Sequence, residues 1–254
     1  MTALPYRLDR IITIAAPREL VFEFLSQSDR WAAWWGAGST IEPRAGGPIL
    51  IRHPGAIEFV GEVREIDPPA RIVFTYGNAT GTPIPPGGSL VTIALEPIDA
   101  GTRLHLTHAF AEPAVRDEFV QGWRFQLALF ANAVANVQHA DPSPLVDGWL
   151  SAWAEPDVDA RRRALAAVAT DAVRFRDRFS CTDGLDDLIP HITAAQRFMP
   201  GMRLERRVAP RQCQGTVVAD WVVVGPDGAE RGKGTNVFTL GPDGRITSAV
   251  GLWG

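Results

Sequence analysis

Three polar residues in the second half of the chain have the types and spacing for proton transfer. Asp177 belongs to a segment in which apolar residues alternate with arginines, with Val173, Phe175 and Phe179 on its own face and Arg174, Arg176 and Arg178 on the other. A carboxylate carried inward loses hydration, which raises its pKa toward the range of a general base. The alternative, that Asp177 only accepts hydrogen bonds from buried donors, stays open.

Two further polar side chains share a face with apolar neighbours in predicted strands. Asn236 alternates with Phe238 and Leu240, and Asp220 alternates with valines on both sides. We therefore predict that Asp177, Asn236 and Asp220 point into the interior of the second half. They are its candidate catalytic residues if this half is an enzyme.

His108 is the corresponding polar residue in the first half. It shares the apolar face of a strand with Leu106 and Phe110, whereas His105 points to the opposite side and cannot join it in a metal site. A single histidine on such a face is more often a satisfied core residue than a catalytic one, and both roles are kept. Aromatic residues supply the other candidates for cavity walls: Trp34, Phe119 and Trp123 in the first half, and Trp149, Trp153, Phe175, Trp221 and Phe238 in the second.

A long helix at Pro113–Gln138 is the element that must organise the first half. Its apolar residues recur three or four positions apart and form one stripe: Val115, Phe119, Trp123, Leu127, Phe130, Val134 and Val137. The two prolines in residues 139–144 cannot continue the helix, so this stretch predicts a linker. We expect two domains, residues 1–140 and 145–254.

Short strands joined by turns precede the long helix, and a helix pair follows the first strand. Trp31, Trp34 and Trp35 fall at the end of that pair, where they either plug one end of the core or supply one wall of a cavity. In the second half, two helices, a strand and a third helix come first, and four further strands follow. Both halves are therefore predicted to be α+β.

Composition excludes several classes of function. The 254 residues carry a formal net charge of -4 and contain no dense basic face, so no nucleic-acid partner is expected. No apolar run approaches a membrane span and no secretory signal is evident, which predicts a cytoplasmic protein without a membrane partner. The 2 cysteines and the histidines lack metal-ligand spacing, and no motif calls for a cofactor, so neither metal nor cofactor is expected.

The first half resembles the START and Bet v 1-like (SRPBCC) superfamily, in its branch related to chaperone ATPase activators. The likeness rests on the segment from Phe59-Val60-Gly61-Glu62 to Asp67-Pro68-Pro69, on Phe74-Thr75-Tyr76 and on Gly122-Trp123. The resemblance implies a helix-grip fold, in which an antiparallel sheet wraps a long C-terminal helix. It also implies an apolar cavity between the sheet and that helix.

The second half resembles the SnoaL-like branch of the nuclear transport factor 2-like superfamily, a cone-shaped α+β barrel with a curved antiparallel sheet. The likeness rests on Phe175-Arg176-Asp177, Gly184-Leu185-Asp186-Asp187-Leu188, Met199-Pro200-Gly201, Asp243-Gly244-Arg245-Ile246 and Gly251-Leu252-Trp253. It implies that Asp177 occupies the position of a catalytic base, and that the outer face of the sheet can form a homo-oligomer. The tyrosine of the isomerases' oxyanion hole is missing, since no tyrosine follows Tyr76.

Three functions follow from these observations. The first is binding of a hydrophobic small molecule in apolar cavities of both domains. The second is a cofactor-independent cyclase, isomerase or dehydratase that uses Asp177 as general base. The third is a chaperone-associated interaction protein.

Overall fold

The computed structural model describes residues 3–254, which fall into two compact units. The first unit ends at Gln138 and the second spans His139–Gly254. Each unit has its own hydrophobic core.

The first unit contains three helices and a seven-stranded sheet within its described residues. In chain order the elements are β1 (Tyr6–Ile14), α1 (Arg18–Ser26), α2 (Ser28–Trp35), β2 (Thr40–Ile41), β3 (Pro48–His53), β4 (Ile57–Asp67), β5 (Arg71–Asn78), β6 (Ser89–Ile98), β7 (Gly101–Phe110) and α3 (Pro113–Gln138). The sheet is antiparallel throughout, in the order β1-β7-β6-β5-β4-β3-β2. Consecutive strands are neighbours, as short turns require.

Helix α3 buries the predicted apolar stripe against this sheet and against α1 and α2. Trp123, Leu127, Phe130 and Val134 are buried, whereas Val137 at the end of the helix is exposed. The stripe is therefore correct except in its last turn, where the helix has passed the edge of the core.

The three clustered tryptophans of α2 all enter the core. Trp31 and Trp34 meet edge to face with ring centroids 5.2 Å apart, and Trp34 donates its indole N–H to the carbonyl of Phe24 at 2.9 Å. Trp34 is thus a core residue that ties α2 to α1. Its predicted place in a cavity wall is wrong, and the neighbouring Trp35 takes that place instead.

The second unit begins with two helices and ends with the long strands of a second sheet. Its elements are α4 (Ser143–Ala152), α5 (Val158–Val168), β8 (Ala169–Asp177), β9 (Ser180–Asp183), α6 (Leu185–Phe198), β10 (Arg203–Arg206), β11 (Arg211–Cys213), β12 (Thr216–Val224), β13 (Glu230–Leu240) and β14 (Ile246–Trp253). The strand order is β10-β12-β13-β14-β8-β9, and β11 also pairs with β12.

The second sheet is open and mostly antiparallel. Strands β14 and β8 run parallel, which brings the last strand of the chain beside the first strand of this unit. The predicted α+β class is confirmed for both units, with helices against antiparallel-rich sheets. The resemblance implied a cone-shaped barrel with a curved antiparallel sheet for this unit; in the structure one strand pair is parallel and the described strands form an open sheet.

A buried arginine joins the helices of the second unit. Arg161 of α5 is fully buried, and its guanidinium donates to the carbonyl of Glu155, to Thr193 Oγ1 at 2.7 Å and to Gln196 Oε1 at 2.7 Å. Burial lowers the pKa of Arg161, an effect opposed by the carboxylates of Glu155 and Asp157. Because its acceptors lie on α6 and on the α4–α5 turn, this one side chain fixes both segments around α5.

Replacing Arg161 tests that role. We expect Arg161→Met to lower the free energy of unfolding of the second unit by about 2–4 kcal/mol, because several buried acceptors lose a charged donor. Arg162→Met is the matched control, since Arg162 is exposed and pairs with Asp186 on the surface, and it should cost less than about 1 kcal/mol. Urea denaturation of both variants makes the comparison, and equal losses would contradict the proposed role.

Candidate functional sites

One candidate site lies in the first unit, between the sheet and α3. It is a cavity of about 420 Å³. Its walls come from α2, from β3 to β5, from the loop before β6 and from α3: Trp35, His53, Ile57, Phe59, Tyr76, Pro83, Glu118, Phe119, Gly122, Trp123, Phe125 and Gln126. This volume lies within the range of small-molecule sites, about 300–1,000 Å³.

Aromatic rings form most of the wall. Phe59 and Tyr76 stack with centroids 4.5 Å apart, and Phe119 meets both of them edge-on. Trp35 and Trp123 meet edge to face at 5.6 Å. These contacts hold the rings in fixed orientations, so the wall is formed before any ligand binds.

Few polar groups reach this cavity. Burial lowers the pKa of His53 and raises the pKa of the Tyr76 hydroxyl, so both side chains are neutral near pH 7. The buried indole N–H of Trp35 has no hydrogen-bond partner in the described structure. Glu118 is exposed and contributes a carboxylate to the lining.

A chain of hydrogen bonds runs behind this wall. The indole N–H of Trp123 donates to His108 Nδ1 at 2.9 Å, and His108 Nε2 lies 2.8 Å from Ser89 Oγ. Ser89 Oγ donates to the carbonyl of Tyr76 at 2.6 Å. An indole N–H can only donate, so Nδ1 carries no proton and Nε2 is the protonated nitrogen that donates to Ser89. The chain connects α3 with three neighbouring strands.

His108 is therefore a satisfied core histidine. It is fully buried, both ring nitrogens have partners, and burial lowers its pKa from 6.5 to about 3. Its ring lies outside the cavity lining, so the predicted cavity position is wrong. The predicted positions of Phe119 and Trp123 agree with the lining, and His108 holds Trp123 in place.

The second unit has a smaller cavity at the end of β8. Its volume is about 50 Å³, enough for a few water molecules and well below that of a drug-sized ligand. The lining is Trp153, Phe175, Asp177, Ala195, Gln196, Met199, Met202, Arg203, Leu204, Trp221, Val223, Asn236, Gly251 and Trp253. Two of the three predicted catalytic residues, Asp177 and Asn236, are among them.

Gly251 brings these two residues together. It pairs with Asn236 across β13 and β14, and it lies beside Asp177 across the parallel pair. A Cβ at Gly251 would lie 3.2 Å from Asp177 Cβ and 3.3 Å from Asn236 Oδ1. Since contacts this short would crowd any Cβ, glycine allows both side chains to lie close to the backbone of β14.

Asp177 is half-buried and uses its two oxygens differently. Oδ1 accepts from the backbone N–H of Phe179 at 2.8 Å and from Ser180 Oγ at 2.8 Å, which closes the turn between β8 and β9. Oδ2 accepts from the indole N–H of Trp253 at 3.2 Å. Asp177 is thus a hydrogen-bond acceptor through both oxygens and also lines the cavity, and its role as a base stays a prediction.

Asn236 is buried and its orientation is fixed by a tryptophan. Its Oδ1 accepts from the indole N–H of Trp221 at 3.0 Å. Because that N–H cannot accept, the amide oxygen must face it and the NH₂ group must point away. The NH₂ group of Asn236 is therefore a hydrogen-bond donor that its bond to Trp221 leaves unused.

The third predicted residue, Asp220, is not part of this site. It is exposed on the outer face of β12 and accepts from Thr235 Oγ1 at 2.6 Å. Its prediction is wrong because β12 is rich in valine on both faces, so the shared apolar neighbours did not distinguish inside from outside. The inner face carries Ala219 and Trp221.

The predicted aromatic residues of the second half separate into wall and core. Trp153, Phe175 and Trp221 line the cavity, whereas Trp149 and Phe238 are fully buried in the core and do not. Sequence reasoning missed Trp253 and Arg203 in this wall, and His53 and Tyr76 in the first cavity. Tyr76 gave no usable signal, because the segment around it in β5 is buried on both faces.

Residues 3–254 contain no group of three or more His, Cys, Asp or Glu side chains placed to hold a metal ion. Within the same residues, no helix combines the length and apolar character needed to cross a membrane.

Residues 15–135 match the family model described as Activator of Hsp90 ATPase homolog 1-like protein. The first unit contains an AHSA1-like domain. This family is the branch of the SRPBCC superfamily that the sequence motifs indicated. Comparison with curated proteins gives no match.

Several solved structures are similar to about half of this chain. A SnoaL-like family protein from Agrobacterium tumefaciens is 27% identical, covers 46% of this chain and 98% of its own, and gives a TM-score of 0.43. The Aha1 dimer from Colwellia psychrerythraea is 19% identical and covers 51% of this chain and 96% of its own, with a TM-score of 0.45. A Mesorhizobium loti protein is 19% identical, covers 52% of this chain and 98% of its own, and gives a TM-score of 0.46. Membership of the second unit in the SnoaL-like branch stays a prediction.

The neutral state of His108 should make stability depend on pH. The unfolded chain binds a proton near pH 6.5, whereas the folded protein does so only near pH 3, so acid favours unfolding. The stabilisation is complete above pH 6.5 and is lost as the pH falls toward 3. Between pH 7 and 4.5, wild type should lose about 2–3 kcal/mol more than His108→Gln, which keeps an acceptor and a donor but cannot titrate.

Urea denaturation at the two pH values measures this difference. His105→Gln is the control, because His105 is exposed on the opposite face of β7. NMR of the wild-type imidazole gives an independent check, since His108 should remain neutral at pH 4.5. A protonated His108 at that pH would contradict the interpretation.

Proposed function

We propose that the AHSA1-like domain binds a small, largely apolar molecule between its sheet and α3. The observation that carries the proposal is the cavity of about 420 Å³ with a wall of fixed aromatic rings. Burying a ligand against these rings removes apolar surface from water at about 25 cal/mol per Å². Since the rings already hold one another in place, little conformational entropy is lost on binding.

The mouth of this cavity has two features that suit entry of an apolar molecule. Phe125 and Ile57 line the cavity and are also exposed to solvent. Exposed apolar side chains of this kind are typical of a surface that an apolar ligand contacts. Gly122 of α3 is part of the cavity lining. No atom lies within 4 Å of the position that a Cβ at this residue would occupy. The opening therefore depends on a glycine in the middle of a helix.

Closing that opening gives a direct test. Gly122→Leu places a side chain in free space over the cavity, and it should also stabilise α3 because glycine is a poor helix former, by about 0.5–1 kcal/mol. We expect wild type to bind the neutral fluorescent probe N-phenyl-1-naphthylamine with saturation at one equivalent in this cavity. Gly122→Leu should weaken that binding at least about tenfold.

Gln121→Leu is the matched control, since it adds the same side chain at the adjacent exposed position of α3, outside the lining. It should leave probe affinity unchanged. Undiminished binding by Gly122→Leu would show that the probe binds elsewhere and would contradict the proposal. A loss of binding together with a gain in thermal stability cannot be explained by misfolding.

A second function is supported by the adjacency of Asp177, Gly251 and Asn236. In this proposal Asp177 Oδ2 removes a proton from the carbon next to a carbonyl, and the Asn236 amide stabilises the resulting oxyanion. The cavity of about 50 Å³ must widen for any such substrate, and flexible Met199 and Met202 form part of its wall. The small volume is why binding in the first unit is the primary proposal.

The enzyme proposal predicts exchange of solvent deuterium into small cyclic ketones, measured by mass spectrometry. Asp177→Asn should reduce exchange at least about 100-fold, because the base is lost while Oδ1 still accepts from Phe179 and Ser180. Ser180→Ala is the control: it removes one hydrogen bond of the turn but leaves the base. Equal exchange by wild type and Asp177→Asn would exclude this function.

A further inference from the structure

The electrostatic character of the residues that line the first cavity indicates the charge of its ligand, which the shape of the cavity does not. Five rings, those of Trp35, Phe59, Tyr76, Phe119 and Trp123, form a connected wall in which each ring touches another. The face of an aromatic ring carries negative electrostatic potential and attracts cations. A wall of several such rings therefore favours a positive group over a neutral one of equal size.

The charged side chains at this cavity have one sign. Glu118 contributes a carboxylate at the mouth, and within the described residues it makes no ion pair. Carboxylates on the nearby strand β4 differ in this respect, since Glu62 pairs with Arg64 and Glu65 pairs with Arg71. Neither lysine nor arginine occurs among the lining residues that the structure describes.

The remaining polar atoms add to this negative character. Gln126 is buried in the lining and uses its NH₂ group to donate to the carbonyl of Trp34. Its carbonyl oxygen is therefore the polar atom that the side chain has left for a ligand. His53 adds no positive charge at neutral pH, because burial lowers its pKa.

The cavity of the second unit provides a contrast. It is also rich in aromatic residues and contains a carboxylate, but Arg203 lines it and Asp177 already accepts three hydrogen bonds. A cation there would meet a positive side chain and a carboxylate already stabilised by donors. The first cavity differs in both respects, because neither lysine nor arginine is among its described lining residues and Glu118 makes no ion pair there.

We infer that the ligand of the first cavity is an organic cation whose alkylated ammonium group packs against the aromatic wall, with Glu118 as its counter-ion. This inference rests on the proposed binding function and specifies its ligand class. The ammonium would be quaternary or a protonated tertiary amine, because its alkyl groups satisfy the apolar wall while the charge interacts with ring faces and the carboxylate. A strongly hydrated primary ammonium would lose more on leaving water.

A pair of isosteric probes separates charge from shape. The compounds (4-hydroxyphenyl)trimethylammonium and 4-tert-butylphenol have the same outline and differ at one atom, a charged nitrogen in place of a carbon. Titration of the full chain at pH 7, followed by calorimetry or by tryptophan fluorescence, gives the affinity of each. We expect the cation to bind at least about fivefold more tightly.

Three variants assign that preference to the cavity. Glu118→Gln should weaken the cation about two- to fivefold and leave the phenol unchanged, as expected for a partly solvated ion pair. Phe119→Leu keeps apolar volume but removes a ring, so it should weaken the cation more than the phenol. Glu112→Gln removes the same charge from an exposed residue outside the lining and should change neither affinity.

The outcomes separate this inference from the function on which it rests. Equal or tighter binding of 4-tert-butylphenol would overturn the cation inference and leave hydrophobic binding standing. The same holds if neither compound binds while N-phenyl-1-naphthylamine still binds in a manner sensitive to Gly122→Leu. If that neutral probe fails as well, the binding proposal fails and the inference fails with it.

Discussion

The hydrogen-bond chain from Trp123 through His108 and Ser89 to the carbonyl of Tyr76 is the constraint on which the first cavity depends. It crosses from α3 to β7, then to β6 and β5, so one helix and three strands are fixed by three hydrogen bonds. Each bond is buried, and an unsatisfied partner would cost about 1–3 kcal/mol. Breaking any link therefore leaves a buried polar group unpaired.

The same chain determines how the cavity wall is built. Trp123 and Tyr76 are its two ends, and both line the cavity, where Trp123 contacts Trp35 and Tyr76 contacts Phe119. Holding His108 neutral lets it accept from one side and donate to the other, which a charged imidazole could not do. The histidine thus contributes to ligand binding only indirectly, through the rings that it positions.

The two units use similar residues for different purposes. In the first unit, His108 and Ser89 form their hydrogen bonds behind the wall, and the lining consists mainly of aromatic rings with one carboxylate, one carboxamide and one histidine. In the second, Asp177 and Asn236 reach the cavity itself and are held by Trp253 and Trp221. The first arrangement suits retention of a ligand, and the second suits proton transfer, although its cavity is much smaller.

Local periodicity was enough to predict the class of fold and some of the site residues. The helical spacing in α3 located Phe119 and Trp123, and strand alternation placed Asn236 and His108 on inward faces, although it did not decide between core and cavity for His108. Periodicity failed where both faces are apolar, as for Asp220 in β12 and Tyr76 in β5. It also gave no indication of the parallel pairing of β14 with β8, because that contact joins segments about 75 residues apart and has no local signal.

Other site residues could not be predicted because their neighbours depend on the register between strands that are distant in the sequence. The sequence alone does not show that Ser89 lies near Tyr76 and His108. The pairing of β5, β6 and β7 brings these three residues together. The wall residue Gly251 likewise acquires its importance only from its neighbours on β13 and β8. Such positions become visible once strand order is known.

The most direct test of the central claim is native mass spectrometry of the chain purified gently from its own host, alongside Gly122→Leu prepared in the same way. The account predicts that wild type carries a small molecule in a one-to-one complex and that the variant lacks it. The same adduct on both proteins, or none on wild type, would contradict a ligand site between the sheet and α3.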